Sequence, residues 1–230
     1  MARKETNSDT TVIIAALNEE KGIGYTLSEL SQVLGDPAFL VVDGNSTDRT
    51  VEIAKESGAE ILVQKGEGKG DAVALAMAHL NGDFEYAILI DADYTYPAEY
   101  LPEMIRILEK NPSVGMVCGN RFNGRIHLGE MHNVLYFGNR LLAFMHNLLN
   151  GVQMQDPLTG MRVVRCKAIK DWKPKSKGFD VEVELNHQVE RKGYGIVEIP
   201  IHYRDRLGEK KLKIKHGLTI FRRILAESLT

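Results

Sequence analysis

The chain has 230 residues, enough to bury a substantial core within one domain. It is 43% hydrophobic and sets 29 Lys and Arg against 31 Asp and Glu, a balance that reads as globular and argues against nucleic acid as the main partner. Its two cysteines, Cys118 and Cys166, make neither a metal-type spacing nor a disulfide framework, and no run approaches the roughly 18 apolar residues of a bilayer span.

The start, MARKETNSD, is polar, and the apolar run after it is too short for a signal peptide, so a cytoplasmic protein is expected. Short apolar runs then alternate with helix-like segments. TVIIAAL (11–17), FLVVD (39–43), EILVQ (60–64), YAILID (86–91) and VGMVCG (114–119) have the length and unbroken apolar character of buried strands. Between them, residues 21–33, 48–57, 71–80 and 99–110 repeat apolar side chains at helical spacing. Thr47-Asp48 marks one helix start, and Pro97 and Pro102 sit near another. This alternation predicts an α/β fold, a mostly parallel sheet flanked by helices.

The rhythm changes after Gly119. Residues 131–150 form one long segment rich in aromatic and aliphatic side chains. DPLTGMRVV follows, then a helix expected over about 181–191, the strand GIVEIPIHY, and a basic, partly amphipathic end over 204–230. With no internal repeat or low-complexity linker, residues 1–230 are expected to form a single domain, its core about 11–203 and its tail 204–230.

In open parallel sheets, ligands bind beyond the carboxyl ends of the strands. Strand one ends near Asn18-Glu19-Glu20, strand two in Asp43-Gly44-Asn45-Ser46, and strand four in Asp91-Ala92-Asp93. One acidic strand end usually caps a turn, but three on one rim point to a ligand site. The chemistry that suits them is a nucleotide diphosphate held with Mg2+ or Mn2+, hard cations that take carboxylate and phosphate oxygens. Asp91 and Asp93 are therefore candidate metal ligands. KGEGKGDA fits neither common phosphate loop: a Rossmann fingerprint needs glycine at position 71, which is Asp71, and a P-loop needs Ser or Thr where Gly70 stands. It reads instead as a tight loop before a helix, with Lys69 near the phosphates.

VIIAALNEEKGI, VVDGNSTDRT, GKGDAVALA, ILIDADYTYP, GNRF, DPLTGMR and EIPIHYRDRLGEKKL together resemble, in order, the family 2 glycosyltransferases. Among these the chain is most similar to the dolichyl- or polyprenyl-phosphate sugar synthases, over residues 11 to about 213. The resemblance implies a GT-A fold and an inverting transfer of sugar from a nucleotide-sugar donor, GDP-mannose or a UDP-hexose, to a lipid phosphate. It implies that Glu19 and Asp43 contact the nucleoside, that Asp91 and Asp93 sit at the metal and donor diphosphate, and that Arg121 faces the acceptor phosphate. Asp156 and Arg162 match the family's Asp-x-x-Ser-Gly-Phe-Arg motif, and Arg206 and Lys211 its late Arg-x-Gly-x-Ser-Lys. The chain departs from the family at Ala15 and Leu17 (often Pro and Tyr), Thr95 (often Gln), Tyr136 (an Arg, with Arg140 nearby) and Lys210 (usually Ser).

A phosphate acceptor is already anionic, so a strong general base is unnecessary, and Asp93, Arg121, Asp156 and Arg162 are the expected catalytic set. Fixed cations at the leaving diphosphate then carry much of the work. Were the acceptor a glycan hydroxyl, as in polysaccharide or glycoprotein synthesis, Asp156 could serve as base; with a phosphate it would orient Arg162 or cap a helix. The chain lacks the Gln-x-x-Arg-Trp of processive synthases, which favours one sugar per turnover. A sugar-nucleotide pyrophosphorylase is disfavoured, because strand one lacks a Gly-rich turn followed by Arg. A non-catalytic nucleotide-sugar sensor would need no acceptor arginines. A lipid acceptor calls for a membrane surface or a membrane partner subunit. Residues 131–150 could lie at that interface or pack on the sheet, and 204–223 carries eight Lys or Arg against two acids. The expected location is thus peripheral, on the cytoplasmic face of a membrane.

Overall fold

The computed structural model describes residues 9–80, 84–122, 133–150, 153–209, 211 and 215–229. The first four apolar runs become β1 (Thr10–Ala16), β2 (Ala38–Asp43), β3 (Glu60–Val63) and β4 (Tyr86–Asp91). The helices between them are α1 (Ile23–Leu34), α2 (Thr50–Glu56) and α3 (Lys69–His79). β1 pairs in parallel with β2 and β4, and β2 with β3. A single 3-10 turn leads into α4 (Leu101–Lys110), with Pro102 in its first turn, where a missing N–H costs nothing. β5 (Val114–Asn120) follows, and beyond it lie α5 (Asn133–Asn150), β6 (Arg162–Arg165), the one-turn α6 (Cys166–Ile169), α7 (Val181–Arg191), β7 (Gly195–Pro200) and α8 (Lys215–Glu227).

These strands form one seven-stranded sheet in the order β3-β2-β1-β4-β6-β5-β7. β6 runs antiparallel to both β4 and β5, while β7 returns parallel to β5. β6 was not expected: its four residues are two valines between two arginines, too short to register as an apolar run.

Alternation along the strands divides the core into two layers. Val12, Ile14, Val41, Ile88 and Ile90 face α1 and α4, packing on Leu27, Leu30, Met104 and Leu108. Ile13, Leu40, Val42, Ala87 and Leu89 face α3 and α7, meeting Val73, Ala76, Leu185 and Val189. Each such side chain, fully buried, is worth about 1.5–3 kcal/mol of transfer energy before chain entropy is counted. The carboxyl ends of the strands are thereby fixed in space by the best-packed part of the molecule.

Among the described residues α5 packs mainly against α8. Its buried face joins α8 and α7 in a third cluster of Val183, Ile220 and Ile224 with Leu142, Leu149 and Leu158. Most of the second half of the basic tail is α8. Among the described residues no helix is long and apolar enough to cross a membrane.

Candidate active site

Parallel register sets Ala16 opposite Asp43 and Ala15 opposite Asp91, so the ends of β1, β2 and β4 meet at one rim. The chain turns sharply after β4, with Tyr94 at φ 64°, and α1 comes up against that turn. A Cβ at Gly22 would stand 2.8 Å from the Asp93 Cα, so only glycine admits the approach. A cavity of about 410 Å³ opens above the rim, lined among others by Leu17, Glu19, Lys69, Asp91, Asp93 and Arg206.

The two carboxylates of Asp91 and Asp93 are held differently. Asp91 Oδ1 accepts from Lys69 Nζ at 2.6 Å. Burial pushes this carboxyl up, but the Lys69 ammonium outweighs it and leaves Asp91 below the usual carboxylate range. Asp93 Oδ1 accepts from the Thr95 hydroxyl at 2.6 Å and the Thr95 amide at 3.1 Å, and its Oδ2 pairs with Arg206. Burial first, then the charge of Asp91, raises the Asp93 carboxyl. Lys69 also reaches Glu182 Oε1 at 2.7 Å; burial lowers its pKa, but the two acids outweigh that and hold it above the ordinary lysine range. Glu19 is pushed up to about 7 by burial, against the opposing pull of Arg206 at 3.3 Å and Lys211 at 3.7 Å.

Arg206 and Lys211 arrive from the tail. Residues 204–209 pass over the end of β4 as a strap, with Arg204 N donating to Thr95 O and Leu207 N to Asp93 O. Lys211 Nζ donates to Asn18 O at 3.1 Å. The expected cofactor-binding residues Glu19, Lys69, Asp91, Arg206 and Lys211 thus meet in one cavity. Asp43 lies just behind Gly44, which lines it; Asp43 Oδ2 accepts from Ser46 N, and Oδ1 has no hydrogen-bond partner among the described residues.

Two expected catalytic residues take other partners. Asp156 is fully buried and accepts from Arg121 Nε and NH2, both at 2.7 Å, and from the Arg121 amide at 3.0 Å. The expected pairing of Asp156 with Arg162 is thereby corrected: its carboxylate holds Arg121. That fork stacks on Tyr203, 5.5 Å from the ring centre, and its charge is felt at Asp91. Arg162 corrects a second expectation. It is 1% exposed and donates to Thr159 O, Pro157 O and Asn186 Oδ1, so it braces the turn before β6 from inside the core rather than facing the cavity.

Sequence reasoning missed Glu182 and Glu198. Glu182 clamps Lys69, and Glu198 accepts from the amides of Gln155 and Asp156 at 2.7 Å. Each left a trace, as an acid set within an apolar pattern: DVEVEL in α7 and GIVEIP in β7. Of the departures from the family, Ala15 and Leu17 line the cavity and Thr95 is spent on Asp93. The side chains of Tyr136 and Lys210 lie outside the described residues, and Arg140 stacks on Phe122.

Asp91 and Asp93 suit a hard divalent ion. Gly160 lies against Asp91 Oδ2, where any Cβ would collide with the carboxylate, so only glycine lets this turn approach it. Among the described residues no third acid, His or Cys completes a metal cluster. Two carboxylates are what Mg2+ ordinarily takes from a protein when phosphates supply the rest.

Residues 11–173 match the profile of glycosyl transferase family 2. A dolichyl-phosphate hexose transferase of Haloferax volcanii is 34% identical over 209 residues, 90% of this chain and 88% of that protein. Glucosyl-3-phosphoglycerate synthase from Mycobacterium tuberculosis shares the fold. Its complex with Mn2+, UDP and glucosyl-3-phosphoglycerate aligns with a TM-score of 0.71 at 22% identity, over 98% of this chain and 80% of that one. Its complex with Mg2+ and UDP gives 0.70 at 22% identity over the same shares. The architecture is the expected GT-A fold, and the strand-end acids stand where that fold opens its cavity. With a matching profile from β1 through α6 and a relative alike over nearly its whole length, the chain belongs to glycosyl transferase family 2.

Proposed function

We propose that this glycosyltransferase moves one hexose from a nucleotide-sugar donor, GDP-mannose or a UDP-hexose, to a polyprenyl phosphate of the dolichyl type, with inversion. The observation that carries the acceptor class is the Arg121–Asp156 fork. The carboxylate that a hydroxyl acceptor would require as base has both oxygens engaged by one guanidinium. An anionic phosphate needs no such base, and Arg121, held through Nε and NH2 by Asp156, would orient it through NH1. The similarity to a dolichyl-phosphate hexose transferase supports the same acceptor.

In this reading the free oxygen of Asp43 accepts from a base N–H, Glu19 faces the nucleoside, and Ala15 and Leu17 wall the base. An acceptor phosphate oxygen attacks the anomeric carbon as its bond to the diphosphate breaks on the opposite side, so no proton need move. Lys69, Arg206 and Lys211 supply fixed positive charge to the departing diphosphate; removing one such group typically costs about 2.7–4 kcal/mol of barrier. Mg2+ or Mn2+ held by Asp91 and Asp93 would add Lewis-acid stabilisation of the same charge.

The lipid acceptor brings the protein to a bilayer. Leu141, Phe144 and Leu148 of α5 recur at helical spacing and are 60–65% exposed, and Leu218 of α8 is 56% exposed. With the exposed Arg222 of α8, the helix packed on α5, they form the proposed contact with the cytoplasmic face of a membrane, direct or through a membrane partner subunit. A donor panel of GDP-mannose, UDP-glucose and UDP-N-acetylglucosamine, with Mn2+ or Mg2+ and dolichyl phosphate, tests the assignment. One donor is expected to give a lipid-linked hexose; transfer to a glycan with none to any lipid phosphate would reject it.

A further inference from the structure

Every carboxylate a metal would use already has a partner supplied by the chain. Asp91 is tied to Lys69, and Asp93 to Thr95 through one oxygen and Arg206 through the other. Glu19 shares Arg206 and Lys211. Around the cavity, four acids (Glu19, Asp91, Asp93 and Glu182) thus face three cations (Lys69, Arg206 and Lys211), close to balance. We propose that Arg206 is an exchangeable counter-ion, which leaves Asp93 for the diphosphate only when metal and nucleotide enter together, so that the two bind as a coupled pair. The inference rests on the donor site described above and assigns it an order of assembly.

The physical argument is one of charge compensation. A divalent ion arriving alone would set two further positive charges beside Lys69 and Arg206. It would also have to break the Asp93–Arg206 pair and leave the guanidinium unpaired, which partly buried ion pairs resist strongly. A diphosphate entering with the ion offers the planar fork new oxygens and restores the balance. The partner free to move is the cation: Arg206 is 26% exposed and Asp93 1%. Its strap stays attached meanwhile, because Arg204 and Leu207 anchor it through backbone amides that the exchange leaves alone. Coupling of this kind is reciprocal, so the metal tightens the nucleotide by the same factor.

The test is equilibrium Mn2+ binding, read from the electron paramagnetic resonance of free Mn2+, with and without GDP or UDP. Wild-type protein is expected to bind Mn2+ about tenfold or more tightly when the favoured nucleotide is present. Arg206→Gln should bind Mn2+ alone about tenfold better than wild type, and its coupling factor should shrink towards one. Arg206→Lys, which keeps the charge, should bind Mn2+ alone as weakly as wild type; thermal melts establish that both variants are folded. Equal Mn2+ affinity in wild type with and without nucleotide, or in folded Arg206→Gln and wild type, would overturn the exchange while leaving the donor site intact. Failure of both nucleotides to bind even with Mn2+ would overturn the functional reading and this inference with it.

Discussion

The negative and positive charges of the site come from parts of the chain built in different ways. Asp43, Asp91 and Asp93 end strands fixed by parallel ladders and by two packed layers, and Asp43 and Asp93 are at most 2% exposed. Arg206 and Lys211, each 26% exposed, lie outside the strands and helices among the described residues, and both reach back to Glu19, Arg206 across 187 positions of chain. The acids therefore keep their places whether or not a ligand is present, whereas the cations can change partner. A site that must neutralise a diphosphate and then release it benefits from that division, because compensation can be transferred without disturbing the sheet.

The sharpest way to break this contrast is at its rigid side. Asp93→Ala is expected to cut the initial rate of sugar transfer by roughly 100- to 1000-fold, the usual scale for losing a preorganised electrostatic group, while circular dichroism shows a folded protein. Full activity would remove the acid rim from the mechanism. Arg162→Met should act on stability instead. It strands Thr159 O and Asn186 Oδ1, while Pro157 O keeps its bond from Asn186 Nδ2; at about 1–3 kcal/mol for each buried group left unsatisfied, urea unfolding should show a loss of about 2 kcal/mol or more. Activity per folded molecule should stay within a few-fold of wild type. A variant of normal stability and no activity would return Arg162 to the chemistry.

A smaller effect comes from the α5–α7 contact. Burial pulls His146 down to about 4, with His187 and Arg162 adding to the shift, whereas the unfolded chain takes up this proton near 6.5. Between those values the unfolded state binds more protons, so stability is lost as pH falls, by up to about 3 kcal/mol at pH 4. His146→Gln should flatten that loss in unfolding curves measured at pH 7 and pH 5; an unchanged slope would assign the acid sensitivity elsewhere. Smallest is the expected effect of Phe144→Glu with Leu148→Glu. Transfer to dolichyl phosphate in anionic vesicles should fall about tenfold, with transfer to a short, water-soluble polyprenyl phosphate unchanged. Equal losses on both acceptors would remove the membrane role of this face.

How much could be read beforehand follows the same division. The first five strands and four helices announced themselves by unbroken apolar runs and helical spacing, with ends displaced by a few residues at most. α2, for example, starts at Thr50 rather than position 48, because the Asp48 carboxylate accepts from the Thr50 amide and hydroxyl and so lies outside the helix. The acids at the rim were legible because the sheet rule says where strand ends converge. The pairings were not. Nothing in local pattern tells that Arg121 rather than Arg162 takes Asp156, since that choice depends on β6 inserting antiparallel between β4 and β5. The strap over β4 is equally silent in sequence, because tertiary contacts fix it and periodicity does not.

The most direct measurement is the anomalous scattering of Mn2+ in a crystal of the protein soaked with Mn2+ and a nucleotide-sugar analogue. The account predicts a single peak bridging the carboxylates of Asp91 or Asp93 and the diphosphate, with the Arg206 guanidinium moved from Asp93 onto phosphate oxygens. A nucleotide bound away from the rim, with Asp91 and Asp93 still tied to Lys69 and Arg206, would contradict it.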